Sequence, residues 1–537
     1  MKGFSIKTEI EEYATFEQYA KEAELGADDL VLCGEHTYQK YVEPLQLGVQ
    51  TLFREKYGKG EPTDIMVDAI LDELRGKSYG RIIAIGGGTV IDIAKAVAVA
   101  GPEDKVDDLY DKVAGLQSFH PLVIIPTTCG TGSEVTNISV INRISKGVKM
   151  GLASDAMLAD KAILITNMLD SLPYKIFATS SIDAMVHSAE SFLSPNACST
   201  SQLFSKEALK LILICWKKAV EAGGGDTWKA YAADFLKASN WAGIGFGYGG
   251  CAAVHACAYP LGSVYHIPHG QSNQLMFKDV MKKYKEIQPE GKINELEAVI
   301  AEALEVKPED ALDALYQLMD QILKKEPLRM FGVKESDLPI FARDVIQTQQ
   351  RLLKNNYVEL TEEQVLEIYY QRQLYRFAPK SVDTCFFTAS GDMLFSRAGE
   401  ISSQDEAQQF ITDNDVTFAV AFGPVMVEDG QAVECSSYPI GEVNRTYSRT
   451  VIGMRDTRHY ILMTVNYEDN HSVAATLNDA TSFILTKGVV KAYALDGGQT
   501  STMVMNGHTV NRPDWGNQRT QSDIIYFATA LPEEVNP

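Results

Sequence analysis

The sequence predicts a multi-domain chain: an α/β unit over residues 1–170, an all-helical unit over 171–373 and a smaller α+β unit over 374–537. Three observations carry this. The chain has 537 residues, which at roughly 150 residues per domain suggests three or four domains. Its first third alternates short apolar runs with helical patterns. Its texture then changes twice, near Ser171 and again after Gln373.

In chain order, Asp29-Leu30-Val31-Leu32-Cys33, Arg81-Ile82-Ile83-Ala84-Ile85 and Leu122-Val123-Ile124-Ile125-Pro126 are short and continuously apolar. Strands covered on both faces read this way. Val90 to Ala100 reads as a helix, and such alternation implies a parallel sheet with helices on both sides. From about Ser171 strand signals give way to long helix-period segments rich in Ala, Leu, Glu and Lys. Thr361-Glu362-Glu363-Gln364 opens the last of them as a capping box, and that helix is predicted to end near Gln373. Beyond a join at 374–379, residues 382–388, 418–427, 459–467 and 489–495 are β-branched or aromatic runs separated by turn residues. Thr476 to Lys487 reads as a helix among them, Asn506-Gly507 as a hairpin turn, and Arg449-Thr450-Val451-Ile452-Gly453 as the lead-in to a β run.

Composition narrows the function. Apolar residues make up 45% and charged residues 22%, an ordinary globular balance. A net charge of −22 speaks against a nucleic-acid partner, whose phosphates require excess Lys and Arg. It does not exclude a phosphate-bearing cofactor, which backbone N–H groups can hold. Eight scattered cysteines without a CxxC pair point to a reducing compartment rather than a disulfide framework. Met1-Lys2-Gly3-Phe4-Ser5 runs into Glu9, Glu11 and Glu12 with no apolar stretch behind it, and no run of about 18 apolar residues exists to span a bilayer. A soluble, cytoplasmic protein is expected, with no membrane contact; a homo-oligomer is compatible with all of this.

Gly86-Gly87-Gly88-Thr89, with Asp92 and Lys95 behind, follows a strand and opens a helix. Glycines there let the backbone approach a pyrophosphate, and free N–H groups point at it. A second polar loop, Pro126-Thr127-Thr128-Cys129-Gly130-Thr131-Gly132-Ser133-Glu134, follows the next strand; three threonines, a serine and two glycines favour ligand contact over a plain turn. Asp183 and His187 lie four apart in a helical stretch and share a face, and His255 and His269 follow. Each histidine alone would read as a core residue. Four groups at these spacings form an N/O ligand set suited to Fe(II) or Zn(II).

Over about residues 5–373 the chain resembles the iron-containing (group III) alcohol dehydrogenase family, through GGGTVIDIAK, PTTCGTGSEVT, DAMVHSAE and VHACAYPLGSVYHIPHG. The resemblance implies a dehydroquinate synthase-like fold: an α/β NAD-binding domain followed by an all-helical metal-binding domain. It places the metal on Asp183, His187, His255 and His269, the pyrophosphate on Gly86, Gly87, Gly88 and Thr89 with Asp92 behind, and the nicotinamide side on Thr127, Thr128, Gly132 and Ser133. Glu35 sits where an acidic residue favours NAD over NADP. Many members carry a histidine four residues after the first of the histidine pair; here it is Tyr259, as in the branch resembling 4-hydroxybutyrate dehydrogenases. Proton transfer would then fall to Tyr259, His266 or solvent. An ω-hydroxy acid such as 4-hydroxybutyrate and its semialdehyde, succinate semialdehyde, is the implied substrate pair, a general primary alcohol or aldehyde the alternative. Dehydroquinate synthases and glycerol-1-phosphate dehydrogenases are similar in fold but place their metal on another pattern.

In the last unit, Asp, Arg, Ser, Thr and Asn gather on turns that either bind a phosphodiester or sugar or simply connect strands. The segment 382–529 resembles the phosphodiester glycosidase domain, related to the enzyme that uncovers mannose 6-phosphate, through AFGPVMVEDG, SRTVIG, LDGGQTSTMVMNG and VNRP with Arg519. The resemblance implies catalytic roles for Arg449 and Asp496. The usual Asn-Gly-Gly-aromatic opening segment is not found, and the third glycine of the usual DGGGS reads Gln499. A partial domain with little glycosidase activity, serving at most as a binding module, is therefore expected.

Overall fold

The computed structural model describes residues 3–373, 382–438, 443–466, 475–505 and 508–511. The chain divides into two compact units, Met1–Leu374 and Tyr375–Pro537.

The first unit opens with a six-stranded parallel sheet made of β1 (Glu9–Tyr13), β2 (Asp29–Cys33), β3 (Gln50–Phe53), β4 (Arg81–Gly86), β5 (Leu122–Pro126) and β8 (Lys161–Ile165), in the order β1-β8-β5-β4-β2-β3. β6 (Ile138–Arg143) and β7 (Val148–Ala153) pair as a separate antiparallel ladder. The three central strands are the apolar runs of the sequence: Leu30 to Cys33, Ile82 to Ile85 and Leu122 to Ile125 are all buried. One face packs on the helices Asp64–Leu74 and Gly88–Val99 through Val67, Ile70, Ile91 and Ala94. The other packs on Phe16, Tyr19 and Val42. Parallel register aligns the carboxyl ends, Cys33 beside Ile85 and Gly86 beside Pro126. Both polar loops therefore leave the same end of the sheet, where open α/β sheets bind their ligands.

From Tyr174 to Gln373 the unit is helical. Its core gathers around Phe177, Trp216, Trp228 and Phe235, with Phe177 and Trp228 stacked at 4.0 Å, and the Trp216 indole N–H donates to Ser181 Oγ at 3.0 Å. Small residues set how closely the helices approach. A side chain at Gly270 would overlap the Thr179 carbonyl oxygen, and one at Gly249 would stand 2.7 Å from the Ser191 carbonyl. No helix among the described residues is long and apolar enough to cross a membrane.

The second unit contains a three-stranded sheet, β10 (Met393–Ser396)-β9 (Asp383–Thr388)-β11 (Val416–Phe422), and a five-stranded one, β13 (Gln431–Ala432)-β12 (Val425–Glu428)-β16 (Lys491–Leu495)-β14 (Arg449–Asp456)-β15 (His459–Val465). The helix Leu477–Leu485, capped by Thr476, packs on the larger sheet. Two readings are corrected. The run 418–427 is not one strand: it breaks at Gly423, whose φ of +76° suits glycine, and its halves join different sheets. Arg449–Gly453 does not precede a β run but begins β14, an interior strand of the larger sheet, paired on both sides. The Asn506-Gly507 turn lies outside the described residues.

Candidate active site and metal centre

The helix Gly88–Val99 starts directly at the end of β4, with Gly87 as its N-cap and no side chain capping its first N–H groups. Such an end attracts an anion. Gly87 and Gly88 lie against the second loop, where a side chain would meet Thr128 Cγ2 at 3.4 Å and Thr131 Cγ2 at 3.2 Å. The Thr127 N–H donates to the Gly86 carbonyl at 3.1 Å, so the two loops are tied at their roots. Thr89 Oγ1 reaches the Gly60 carbonyl at 3.4 Å. The Asp92 carboxylate accepts the Val140 N–H at 3.1 Å, which turns it toward the β6–β7 ladder rather than the loop mouth. Behind it the wholly buried Lys95 donates to Thr136 Oγ1 at 3.0 Å and the Ile138 carbonyl at 2.9 Å, and burial depresses its ammonium to about 8.

Gly132 has a structural reason of its own. Its φ is +56°, and a side chain there would stand 2.5 Å from Gly243 Cα. The loop is thus seated directly on the helix Ala232–Gly249, and Asn240 on that helix donates to Glu134 Oε1 at 3.0 Å. The Ser133 N–H reaches Thr131 Oγ1 at 3.4 Å within the same loop. Glu35 is exposed at the carboxyl end of β2. Its N–H donates to Glu55 Oε2 at 3.3 Å, so a second carboxylate stands where sequence reading named one. A hollow of about 450 Å3 lined by Gly26, Asp29, Gly80, Arg81 and Pro121 opens at the opposite end of these strands and takes no part in this site.

The four metal-ligand candidates come together from three helices. Asp183 and His187 sit on Tyr174–Leu193, His255 on Ala253–Tyr265, and His269 is the first residue of His269–Ile287. Gly270, by admitting the Thr179 carbonyl, brings His269 beside Asp183. From Asp183 Oδ1 the distances are 4.0 Å to His187 Nε2, 3.6 Å to His255 Nε2 and 3.5 Å to His269 Nε2. Donors about 2.1 Å from a tetrahedral ion are spaced by about 3.4 Å, which Asp183, His255 and His269 approach as one group, whereas His187 groups with Cys251 and His255. Asp183, His187 and His255 are buried, while His269 is partly exposed and marks the mouth. The Asn273 amide nitrogen lies 2.7 Å from Asp183 Oδ1, 3.2 Å from His255 Nε2 and 3.4 Å from His269 Nε2. Three acceptor atoms thus converge on one point, which is what a bound cation requires. Burial pushes the Asp183 carboxyl up, but the imidazoles of His187, His269 and His255 outweigh it and hold it well below the usual range.

Glu190, one helical turn beyond His187, orients the cluster. It is buried, accepts the Ala252 and Val254 N–H groups at 2.9 and 2.6 Å, and lies 2.6 Å from His255 Nδ1. A carboxylate on the far ring nitrogen leaves Nε2 for a metal. Sequence reading missed Glu190, Asn273 and Glu55. Two of these had a signal: Glu190 follows Asp183 by two turns, and Asn273 follows His269 by four residues, so each shares a face with a ligand.

Tyr259, one turn after His255, is half-buried with its ring 6.1 Å from that of His269. His266 instead ends the helix in a left-handed conformation, φ +54°, and is exposed. The structure therefore brings Tyr259, and not His266, to the histidine cluster.

In the second unit Arg449 is buried, its guanidinium donating to the Ala475 carbonyl at 3.2 Å and the Arg445 carbonyl at 2.6 Å. Asp496, exposed after β16, accepts the Gly497 N–H at 2.9 Å. Ser501 Oγ donates to the Arg449 carbonyl at 2.9 Å and receives Thr450 Oγ1 at 3.0 Å, so the Gly-rich turn and the start of β14 are laced together. Arg519 lies outside the described residues.

A parallel sheet with two phosphate-type loops, seated on helices that carry a buried carboxylate–imidazole cluster, defines a dinucleotide- and metal-dependent oxidoreductase. Family models agree: iron-containing alcohol dehydrogenase matches residues 9–166, and the C-terminal part of the Fe-containing alcohol dehydrogenase family matches 177–373. The chain belongs to the iron-containing alcohol dehydrogenase family, and is a metal-dependent, NAD-linked alcohol dehydrogenase. Among its relatives is the 4-hydroxybutyrate dehydrogenase of Clostridium kluyveri, 42% identical over 69% of this chain and 99% of that protein. Long-chain-alcohol dehydrogenase 1 of Geobacillus thermodenitrificans is 33% identical over 55% of this chain and 75% of its own length. The sulfoacetaldehyde reductase of Bifidobacterium kashiwanohense, solved in complex with NAD+, shares the fold with a TM-score of 0.61 at 22% identity, over 70% of this chain and 99% of that one. The iron-containing alcohol dehydrogenase of Thermotoga maritima gives 0.59 at 25% identity, over the same shares. A third family model, phosphodiester glycosidase, matches residues 351–528.

Proposed function

We propose that the chain interconverts an ω-hydroxy acid and its semialdehyde, 4-hydroxybutyrate and succinate semialdehyde first, with NAD as the hydride carrier. The observation that carries the reaction is the gathering of Asp183, His255 and His269 within 4.8 Å of one another, with His187 on the same helix face as Asp183 and 4.0 Å from its carboxylate. The substrate rests on the full-length likeness to the Clostridium kluyveri enzyme and on Tyr259. When bound, a divalent ion, Fe(II) or Zn(II), supplies Lewis acidity toward the alcohol oxygen, and the nicotinamide supplies hydride transfer. Asp183 brings negative charge to the ion's position, and Glu190 fixes His255 in the tautomer with a free Nε2. Tyr259 stands at the mouth beside His269, where its phenol can pass the hydroxyl proton toward solvent. The N–H groups opening Gly88–Val99 hold the pyrophosphate, Thr127, Thr128, Gly132 and Ser133 line the nicotinamide side, and Glu35 with Glu55 disfavours a 2′-phosphate on the ribose.

The test is turnover of a panel of alcohols and ω-hydroxy acids by the Fe(II)-loaded chain, followed as NADH absorbance. The expected result is the highest kcat/KM with 4-hydroxybutyrate; faster turnover of butanol would overturn the substrate assignment and leave a general primary alcohol dehydrogenase. We further infer that hydride transfer belongs wholly to residues 1–373. The 374–537 unit has little glycosidase activity, since the Arg449 guanidinium is engaged by backbone carbonyls rather than held open for a phosphodiester.

A further inference from the structure

Beside the Asp183 cluster stands a second group of donors. His187, Cys251 and His255 each offer one ligand atom, and these atoms lie within 4.8 Å of one another. The Cys251 sulfur therefore stands beside both imidazoles. The turn that carries it is fixed: the Asn355 amide donates to the Cys251 carbonyl at 2.9 Å, and Glu190 holds the next N–H, that of Ala252. Independently, His187 is 5% exposed and its Nδ1 is buried without a hydrogen-bond partner, so this ring is not fully used by the protein around it. Its face is stacked between Phe246 and His255, at 4.2 and 4.7 Å.

We propose that His187, Cys251 and His255 form a second, sulfur-containing coordination set, which a thiophilic divalent ion such as Zn(II) takes in preference to the set of Asp183, His255 and His269. Thiolate selects soft and borderline ions, whereas carboxylate oxygen suits harder ones. The two sets are mutually exclusive. His255 has only Nε2 to give, because Nδ1 faces Glu190, so an ion drawn toward Cys251 leaves Asp183 and His269. Loading the sulfur set breaks the Cys251 S–H bond and forms a sulfur–metal bond; the proton passes to solvent, and no oxidation state changes. The inference does not depend on which alcohol the enzyme oxidises.

The experiment is zinc K-edge absorption on the full chain loaded with Zn(II) alone, with Zn(II) and Fe(II) affinities measured by chelator competition. The wild type is expected to show a sulfur neighbour at about 2.3 Å, and His269→Ala should keep it. Cys251→Ser and Cys251→Ala should lose it, with zinc binding weakened by roughly tenfold or more while Fe(II) binding stays within about twofold. Near-ultraviolet circular dichroism verifies that the variants are folded. A wild-type zinc shell of nitrogen and oxygen only, a sulfur shell that survives Cys251→Ser, or its loss in His269→Ala would each overturn the proposal. Because the readouts are a scattering shell and an affinity, inactivity toward any substrate leaves the result interpretable.

Discussion

Glu190→Gln perturbs the metal centre without removing a ligand. In the wild type one carboxylate oxygen accepts the Val254 N–H, and the other accepts the Ala252 N–H and faces His255 Nδ1. An amide has only one oxygen. If that oxygen faces Ala252 and His255, the amide nitrogen meets the Val254 N–H, two buried donors confronting each other at a cost of about 1–3 kcal/mol. If it faces Val254 instead, the amide nitrogen donates to His255 Nδ1 and forces the other tautomer. The ring proton then sits on Nε2, 3.6 Å from Asp183 Oδ1, where an ion needs a lone pair. Either arrangement weakens the site, and loss of such a partner lowers metal affinity by about 10–100-fold, or about 1.4–2.7 kcal/mol. Chelator competition gives the affinity, elemental analysis the metal content, and thermal unfolding the stability. Affinity within about twofold of wild type, together with an unchanged Tm, would refute the reasoning.

His255→Ala should leave the fold largely intact while emptying the site, because three ligands hold a divalent ion poorly; normal metal content by elemental analysis would sink the assignment. Glu35→Ala should narrow the preference for NAD over NADP, and the pair Glu35→Ala/Glu55→Ala should narrow it further, read as the ratio of kcat/KM values. Burial holds the Lys95 ammonium at about 8 against its ordinary 10.5, so its buried charge destabilises the fold fully below pH 8, and this penalty fades as pH rises toward 10.5. The shift corresponds to about 3 kcal/mol. Wild type should therefore gain stability relative to Lys95→Met over that window in urea titrations, and parallel pH profiles would count against it. A chain ending at Gln373 should keep its dehydrogenase activity, since domain boundaries fall where few contacts cross; an inactive, folded truncation would show that the second unit contributes.

Much of this was legible in the sequence. The central strands announce themselves because burial on both faces demands uninterrupted apolar residues, as in Leu30–Cys33 and Ile82–Ile85. The edge strands β1 and β3 do not, since Glu9–Tyr13 and Gln50–Phe53 are each only partly covered. The ligand candidates were legible because few groups can hold a divalent ion, and the spacing of Asp183 and His187 keeps that pair on one face of their helix. Gly130 and Gly132 looked like ligand contacts and prove also to be seats for the backbones of Ser180 and Gly243, since the sequence cannot distinguish a glycine kept small for a cofactor from one kept small for a helix.

The same ambiguity works in the opposite direction at Arg449. An arginine at the start of a β run, near Gly-rich turns, reads as an anion binder because a guanidinium matches phosphate geometry. That matching is a property of its five donors, and backbone carbonyls satisfy donors as well as phosphate oxygens do. Once the carbonyls of Ala475 and Arg445 are in place, part of the fork is committed to holding the segments that flank β14. The contrast with His255 is one of surroundings. At His255 a carboxylate occupies the ring nitrogen facing away from the centre and leaves the other beside the Asn273 amide and Asp183 Oδ1, with no backbone partner. A motif thus states which donors are present. Whether they serve chemistry or architecture is decided by which of their atoms the fold has already engaged.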